Sequence, residues 1–421
     1  MPRRPIEDRL VAAGLQPLPR TAWAEIDLDA IAGNLAALRR LADPGTAVHP
    51  VVKADAYGHG AIPVARALEA AGADGFCVAA FDEAVALRHA GIERPILVLY
   101  PIPPTLATAA AADRIAVTAG DRQLLDALMA AIRAAPAGEL LDVQLEVETG
   151  LGRGGFPIDA LLEAARDVVA TPGARLVSAW THFQAPADAA RTAAQVAAFE
   201  RAADVLVAGG IPLPPRHVAA SGGLLLEHVV SLDGVRPGLA IYGLVPDELL
   251  GGGERTTVDG ASDLRPALSL HARPVRVADL PAGWGISYGP SFTTSRPSRI
   301  ATLPLGYGDG WPRSLSNRAQ ALVRGRRVPL VGNVAMDAVM ADVTDVPGSP
   351  VGVDDEFVLL GAQGDDRITA AEVAAERGTI SWEVVTSLSR RLPRVYHAAS
   401  LPRETRTLVT DDADGRRSTR P

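Results

Sequence analysis

The sequence predicts an α/β fold, a (β/α)8 TIM-like barrel followed by a C-terminal mostly-β domain, on three observations. Strand-like and helix-like segments alternate from Trp23 to Arg236, the pattern of parallel strands joined by helical crossovers. Past a glycine-rich break at Gly251-Gly252-Gly253 the texture becomes β-rich with closely spaced turns. Lys53 follows a short apolar run directly, and the C-terminal edge of a barrel strand is where active-site residues sit.

Taken in order, residues 1–20 are rich in Pro and Arg and read as an N-terminal extended arm. Asp29 is placed to cap a helix running to Leu41, with Ile31, Leu35 and Leu38 at helical spacing. The run 48–52 reads as a strand, and a helical run from 61 to 71 follows it. Further strands end near Ala79, Tyr100, Thr118, Glu146, Thr181, Ala220 and Arg236, with Ala-rich amphipathic helices between most of them. That makes eight strands in about 210 residues, which suits a barrel of about 250; the same periodicity also suits an open doubly wound sheet. Residues 21–255 form the barrel in this reading, 249–264 contain the linker, 256–410 form the β domain and 411–421 a flexible tail. Within the β domain the runs 267–277, 300–305, 320–331, 339–343 and 356–360 read as strands. Residues 369–377 and 379–391 read as helices, with Pro393 as a stop.

The composition excludes several classes. With 421 residues, 48% hydrophobic and 21% charged, the chain has ample core and is not disordered. A net charge of −8 with no long Lys/Arg block argues against nucleic acid or an anionic membrane as partner, leaving a small molecule. The single cysteine, Cys77, lies in an apolar run, so it reads as a buried structural thiol in a reducing compartment. Neither a signal peptide nor a run of about 18 apolar residues is evident, so the expected location is the cytoplasm. No metal site is expected.

Lys53 is the only lysine, although Lys and Arg together number 41. Arginine supplies the positive charge everywhere else. An amine can lose its proton and form a Schiff base with a carbonyl, whereas a guanidinium effectively cannot.

Seven segments then carry a resemblance: Val52-Lys53-Ala54-Asp55-Ala56-Tyr57-Gly58-His59-Gly60, Glu148-Thr149-Gly150-Leu151-Gly152-Arg153, Thr181-His182-Phe183, Arg236-Pro237-Gly238-Leu239 with Tyr242-Gly243, Gly285-Ile286-Ser287-Tyr288-Gly289, Gly306-Tyr307-Gly308-Asp309-Gly310 and Ala335-Met336-Asp337. In this order, from about Trp23 to about Tyr396, they resemble the alanine racemases. The resemblance implies pyridoxal 5'-phosphate as cofactor, a head-to-tail homodimer, and D-alanine formation by isomerisation. It makes Lys53 the residue that holds the cofactor and moves the Cα proton on one face. Tyr288 of the partner subunit acts on the other; a free phenol with a pKa of about 10 is a poor base unless cations lower it.

The resemblance also assigns Tyr57, Ser221, Gly238 and Leu239 to the cofactor phosphate, the last two through main-chain N–H groups, and His182 to packing against the ring. Arg236 faces the pyridine nitrogen. A guanidinium there keeps the ring unprotonated and the electron sink weak, which favours racemisation over transamination; taken alone, Arg236 reads more often as a surface ion-pair residue. His217 is the expected partner of Arg236. Arg153 and the backbone of Met336 correspond to substrate and tyrosine contacts, Tyr307 to the entrance, and Asp337 to a structural orienter.

Three positions depart from the family pattern. Glu146 stands where many members carry a lysine modified to a carbamate, and supplies a permanent negative charge next to Arg153. Ala220 replaces an asparagine before Ser221, and Trp382 replaces a tyrosine near the phosphate and substrate side chain. The alternatives are therefore a racemase for serine or a non-standard amino acid, a decarboxylase of the same architecture, and a non-catalytic cofactor-binding protein.

Overall fold

The computed structural model describes residues 4–135, 138, 140–226, 231–250 and 262–410, so the Gly251-Gly252-Gly253 linker and the tail from Asp411 lie outside the described residues. The chain divides into two compact units, one made of Ile31–Ala56 and Ala61–Arg265, the other of Met1–Ala30, Tyr57–Gly60 and Pro266–Pro421.

In the first unit eight parallel strands are hydrogen-bonded in one sheet: Ala47–Val48, Phe76–Val78, Ile96–Val98, Ile115–Ala119, Leu141–Glu146, Ala174–Trp180, Arg216–Ala220 and Gly234–Arg236. The first strand pairs with the last. A parallel bridge between Val51 and Cys77 joins the first to the second, with Val52 N donating to Cys77 O at 2.9 Å and Cys77 N to Pro50 O at 3.0 Å. The ring is closed, which removes the open-sheet alternative.

Most strands are short continuous apolar runs buried on both faces, as barrel strands covered by helices must be. The helix Arg122–Ala134 shows how the sequence fixes the outer layer: Leu125, Leu128, Met129 and Ile132 fall on one buried stripe, and Asp121 caps the first turn by accepting from Leu124 N at 2.9 Å. Cys77 is fully buried and burial raises its thiol to about 12, so it is an unreactive core residue.

Two local expectations are corrected. The N-terminal residues are not all extended: Ile6–Ala12 form a helix whose Ile6 and Leu10 pack with Trp23 and Val395. Helix Leu28–Leu41 is capped by Asp27, whose Oδ1 accepts from Ala30 N at 2.9 Å. Asp29, expected in that role, instead accepts from Ala399 N at 2.6 Å.

The second unit is built on an 11-stranded sheet. Strand Ala22–Asp27, counted with the barrel in the sequence reading, lies inside this sheet, antiparallel to Leu268–Ala272 and parallel to Arg394–Ala398. Its buried Glu25 receives Arg9 at 2.7 and 3.0 Å and the Trp23 indole N–H at 3.0 Å, with His397 Nε2 2.7 Å away. Glu25, His271 and Glu356 are near enough to share a metal ion, but the Glu25 oxygens are already committed to Arg9 and Trp23.

The run 320–331 is a hairpin, Gln320–Val323 with Arg326–Val331, turned by Arg324 and Gly325 at positive φ. The run 267–277 is likewise two strands, Leu268–Ala272 and Arg276–Leu280. The last helix is shorter than expected, Ser381–Thr386.

Candidate active site

In the barrel unit Lys53, Glu146, Arg153, His182, Ser221, Arg236, Gly238 and Leu239 all lie at or just past the C-terminal ends of strands, with His217 one layer below. Lys53 is followed by four successive non-glycine residues at positive φ: Ala54 (52°), Asp55 (55°), Ala56 (54°) and Tyr57 (52°). Left-handed backbone costs an L-residue about 1–2 kcal/mol, so the turn must be held by its surroundings. Glu83 does part of this, accepting from Ala54 N at 2.6 Å while its other oxygen accepts from Ala79 N at 2.8 Å and Ala80 N at 3.1 Å. Asp55 then caps helix Ala61–Ala70 by accepting from Ala61 N at 2.9 Å. The half-buried Lys53 amine is lowered from the ordinary lysine range, by burial first and then by Arg153, with Glu83 opposing.

Arg236 is fully buried. Its Nη2 donates to Thr181 O at 2.7 Å and Val218 O at 3.1 Å, its Nη1 hydrogen-bonds His217 Nδ1, and the guanidinium lies 4.8 Å over the Trp180 ring. Burial pulls it down to about 10, which leaves it a cation at neutral pH. His217 is held well below the ordinary histidine range by burial and by Arg236, and stacks on Trp180. His182 is lowered to about 3 by burial, then by Arg236, Arg153 and Lys53. Both imidazoles are neutral.

Glu146 is buried, with its Oε1 3.4 Å from Arg153 Nη2. Its other oxygen sits against Gly154, where a Cβ would come within 3.2 Å. Burial raises its pKa, and Arg153 opposes the rise. Glu148 shapes the loop carrying Arg153, accepting from Leu151 N and Gly152 N at 2.8 Å each and from Gly150 N. The Arg153 guanidinium lies 5.5 Å over the Tyr100 ring.

At the far side of the mouth, Ser221 Oγ accepts from Gly238 N at 2.9 Å and Ala240 N at 3.1 Å. The buried Leu239 amide, first in its short helix, has no protein acceptor among the described residues. Anionic groups are bound by such donors. Lys53, Arg153 and Arg236 thus meet at this face with Glu146 and Glu83 as the acids that act on them. An amine, a free amide beside a hydroxyl, and a fixed guanidinium fit a cofactor that carries an aldehyde, a phosphate and a ring-nitrogen acceptor.

The second unit carries the remaining residues. Tyr288 is 78% exposed, on a turn held by Asn333, whose Nδ2 donates to Tyr288 O and Gly289 O at 2.9 Å each. Ser287 donates to Asn333 O at 2.6 Å. Tyr307 and Met336 are brought together through Tyr307 N to Ala335 O at 3.1 Å and Gly308 N to Met336 O at 3.0 Å. Asp337 is tied to Arg391 at 2.6 Å. Tyr57 is buried, and Trp382 is half-buried on helix Ser381–Thr386. Glu83 and Asn333 were not singled out from sequence; the only local sign of Glu83 was an acidic residue in a helix first turn.

Residues 26–246 match the family described as alanine racemase, N-terminal domain, and residues 267–396 that described as alanine racemase, C-terminal domain. The alanine racemase of Desulfovibrio desulfuricans is 41% identical over 379 residues, covering 90% of this chain and 98% of that protein. The chain belongs to the alanine racemase family.

Other members reinforce the placement. The alanine racemase of Symbiobacterium thermophilum is 42% identical over 379 residues, with 90% of this chain and 97% of that protein covered. Among solved structures, the alanine racemase of Bacillus anthracis with bound L-Ala-P superimposes with a TM-score of 0.85 at 33% identity, covering 94% of this chain and all (100%) of that one. A histidine racemase from Leuconostoc mesenteroides shares the fold at a TM-score of 0.80 and 29% identity, covering 91% and 100%. Eight parallel strands with a following β-rich unit are therefore this racemase family's architecture, as expected from the sequence.

Proposed function

We propose that this chain is an amino-acid racemase that interconverts L- and D-alanine, using pyridoxal 5'-phosphate held at the C-terminal face of the barrel. The observation that carries this reading is the depressed Lys53 amine and a buried, still cationic Arg236 acting together on His182, with the guanidinium fixed by Thr181 O, Val218 O and His217 Nδ1. When bound, the cofactor supplies an electron sink for the charge left at Cα. Lys53 holds it through its amine and moves the Cα proton on one face; its lowered pKa enlarges the neutral fraction able to act as a base.

Arg236 would face the ring nitrogen, and a guanidinium there, keeping its proton, would leave the sink weak and disfavour decarboxylation and transamination. Ser221, Gly238, Leu239, Tyr57 and Trp382 would hold the phosphate, and neutral His182 would pack against the ring. Arg153, fixed by Glu146, and the Met336 backbone orient the substrate carboxylate and the catalytic tyrosine. Tyr288 of the partner subunit exchanges the proton on the opposite face, so the working form is a head-to-tail homodimer in the cytoplasm. Its high exposure on one chain suits a group completed by a second copy. Tyr307 lines the entrance, and Asp337 holds Arg391.

The test is Cα deuterium uptake in D2O with L-alanine, L-serine and L-histidine, with chirality read in parallel. Exchange and loss of optical purity for alanine, abolished by Lys53→Ala together with the cofactor absorbance, is the expected result. Exchange confined to serine or histidine reassigns the substrate, and no exchange with any of them overturns the reading.

A further inference from the structure

Strand Leu141–Glu146 alternates, with Leu141, Val143 and Leu145 on one face and Asp142, Gln144 and Glu146 on the other. Glu146 reaches Arg153 at the catalytic end. Gln144, one layer below, places Oε1 2.7 Å from His217 Nε2. The opposite ring nitrogen, Nδ1, faces Arg236 Nη1.

Proton positions follow from what each group can do. A guanidinium has donors only, so His217 Nδ1 must present a lone pair. The proton of the neutral ring is then on Nε2, and the group facing it must be an acceptor, which makes the Gln144 atom the amide oxygen. An imidazolium, or the Nδ1–H tautomer, would aim a proton at the guanidinium. Trp180, stacked on the His217 ring with centroids 6.1 Å apart, limits its rotation. Glutamine suits this position better than glutamate, because a carboxylate would favour the doubly protonated ring and so oppose Arg236.

We infer that Gln144 is a positioning residue: its carbonyl selects the His217 tautomer that accepts from Arg236, and so fixes the guanidinium fork at the catalytic face. Gln144 and His217 also line a cavity of about 290 Å³ bordered by Ala47, Phe76, Ile96 and Gly234, each the first residue of its barrel strand. Water entering from that end can replace a truncated Gln144, so the informative substitution is an isosteric apolar one.

The tautomer claim stands on the protein alone; its effect on catalysis rests on the proposed racemase function. The experiment uses full-length protein labelled with 15N-histidine and long-range 1H–15N correlation, with His217 assigned by its loss in His217→Phe. Wild type is expected to show a neutral ring protonated at Nε2 between pH 6 and 9. Gln144→Leu is expected to bring in the Nδ1–H form, and Gln144→Glu the imidazolium at pH 7; both variants are checked for a cooperative thermal transition. With the holoenzyme, Gln144→Leu is expected to lower kcat for alanine roughly tenfold, the size of one lost hydrogen bond, with KM little changed.

An unaltered His217 tautomer in Gln144→Leu, or an Nδ1–H ring in wild type, overturns the inference. The expected tautomer change accompanied by wild-type kcat overturns its link to Arg236. Failure of the wild type to racemise any substrate would count against the proposed function and leave the tautomer result standing.

Discussion

Glu146 and Arg153 form a long ion pair, 3.4 Å between Oε1 and Nη2, in which the carboxylate is buried and the guanidinium is partly open to solvent, with side-chain exposures of 8% and 37%. The carboxylate is therefore desolvated more than it is compensated, and its pKa is raised. A raised carboxylate pKa means that the folded state takes up a proton more readily than the unfolded chain. Ionised Glu146 thus lowers stability at pH values above its folded pKa, and this cost fades as pH falls through that value toward the ordinary range near 4.3.

Glu146→Gln is accordingly expected to melt at or above the wild-type temperature at pH 7.5, an advantage that shrinks in acid. Its kcat/KM for alanine should fall about tenfold as Arg153 loses its anchor, a change of about 1.4 kcal/mol. Thermal scans at pH 7.5 and 5 with parallel kinetics check both parts. Wild-type kinetics would remove Glu146 from the positioning of Arg153.

Lys53 shifts in the opposite sense. A lowered amine pKa makes the charged form costly in the fold at pH below the folded value, and the cost disappears as pH rises through it toward about 10.4. Apo Lys53→Met should be more stable than wild type at pH 7, with the two converging near pH 10. Because there is one lysine, reductive 13C-methylation gives a single ε-amine resonance, whose titration should centre below the ordinary lysine value. A midpoint at or above it would contradict the assigned environment.

Much of this site was legible in sequence, and particular residues show why some of it was not. Lys53 stood out by composition, and the eight alternating strands by a period that depends only on neighbours along the chain, whereas their closure into a ring rests on the tertiary pairing of the first strand with the second and the last. Glu83 is 29 residues from Ala54, Asn333 is 45 from Tyr288, and Gln144 is 73 from His217; no local pattern links such pairs, because tertiary contact alone selects them. Asp29 was misread as a cap since Asp27 lies two residues earlier, and only the backbone direction at the helix start decides between them.

Arg236 is expected to control the reaction outcome. Arg236→Glu should raise pyruvate released per racemisation event by roughly tenfold or more, since a carboxylate favours a protonated ring and a stronger sink. Coupled lactate dehydrogenase measures the pyruvate. Arg236→Leu is expected to cost about 3 kcal/mol of stability by leaving His217 and the Thr181 and Val218 carbonyls without their donor. Denaturant unfolding of the apo protein measures it.

If each catalytic centre takes Lys53 from one copy and Tyr288 from another, two inactive variants should rescue each other. Lys53→Ala and Tyr288→Phe, unfolded together and refolded at equal concentration, should recover about a quarter of wild-type activity. Half of the randomly formed dimers are mixed, and each of these has one intact centre of two. No recovery from a mixture that demonstrably contains mixed dimers would place both residues in the same chain's centre.

The strand Ala22–Asp27 pairs along one edge with Leu268–Ala272 and along the other with Arg394–Ala398. Ala24 is made about 370 residues before its partner Arg394. At elongation rates of about 5–20 residues per second, the strand waits roughly 20 to 70 s for its second neighbour. Until Leu268–Ala272 is made both edges are open to other chains, and the second edge stays open for the whole wait. The barrel can complete itself first, so chaperone dependence at synthesis should concentrate in the sheet that these distant segments build together.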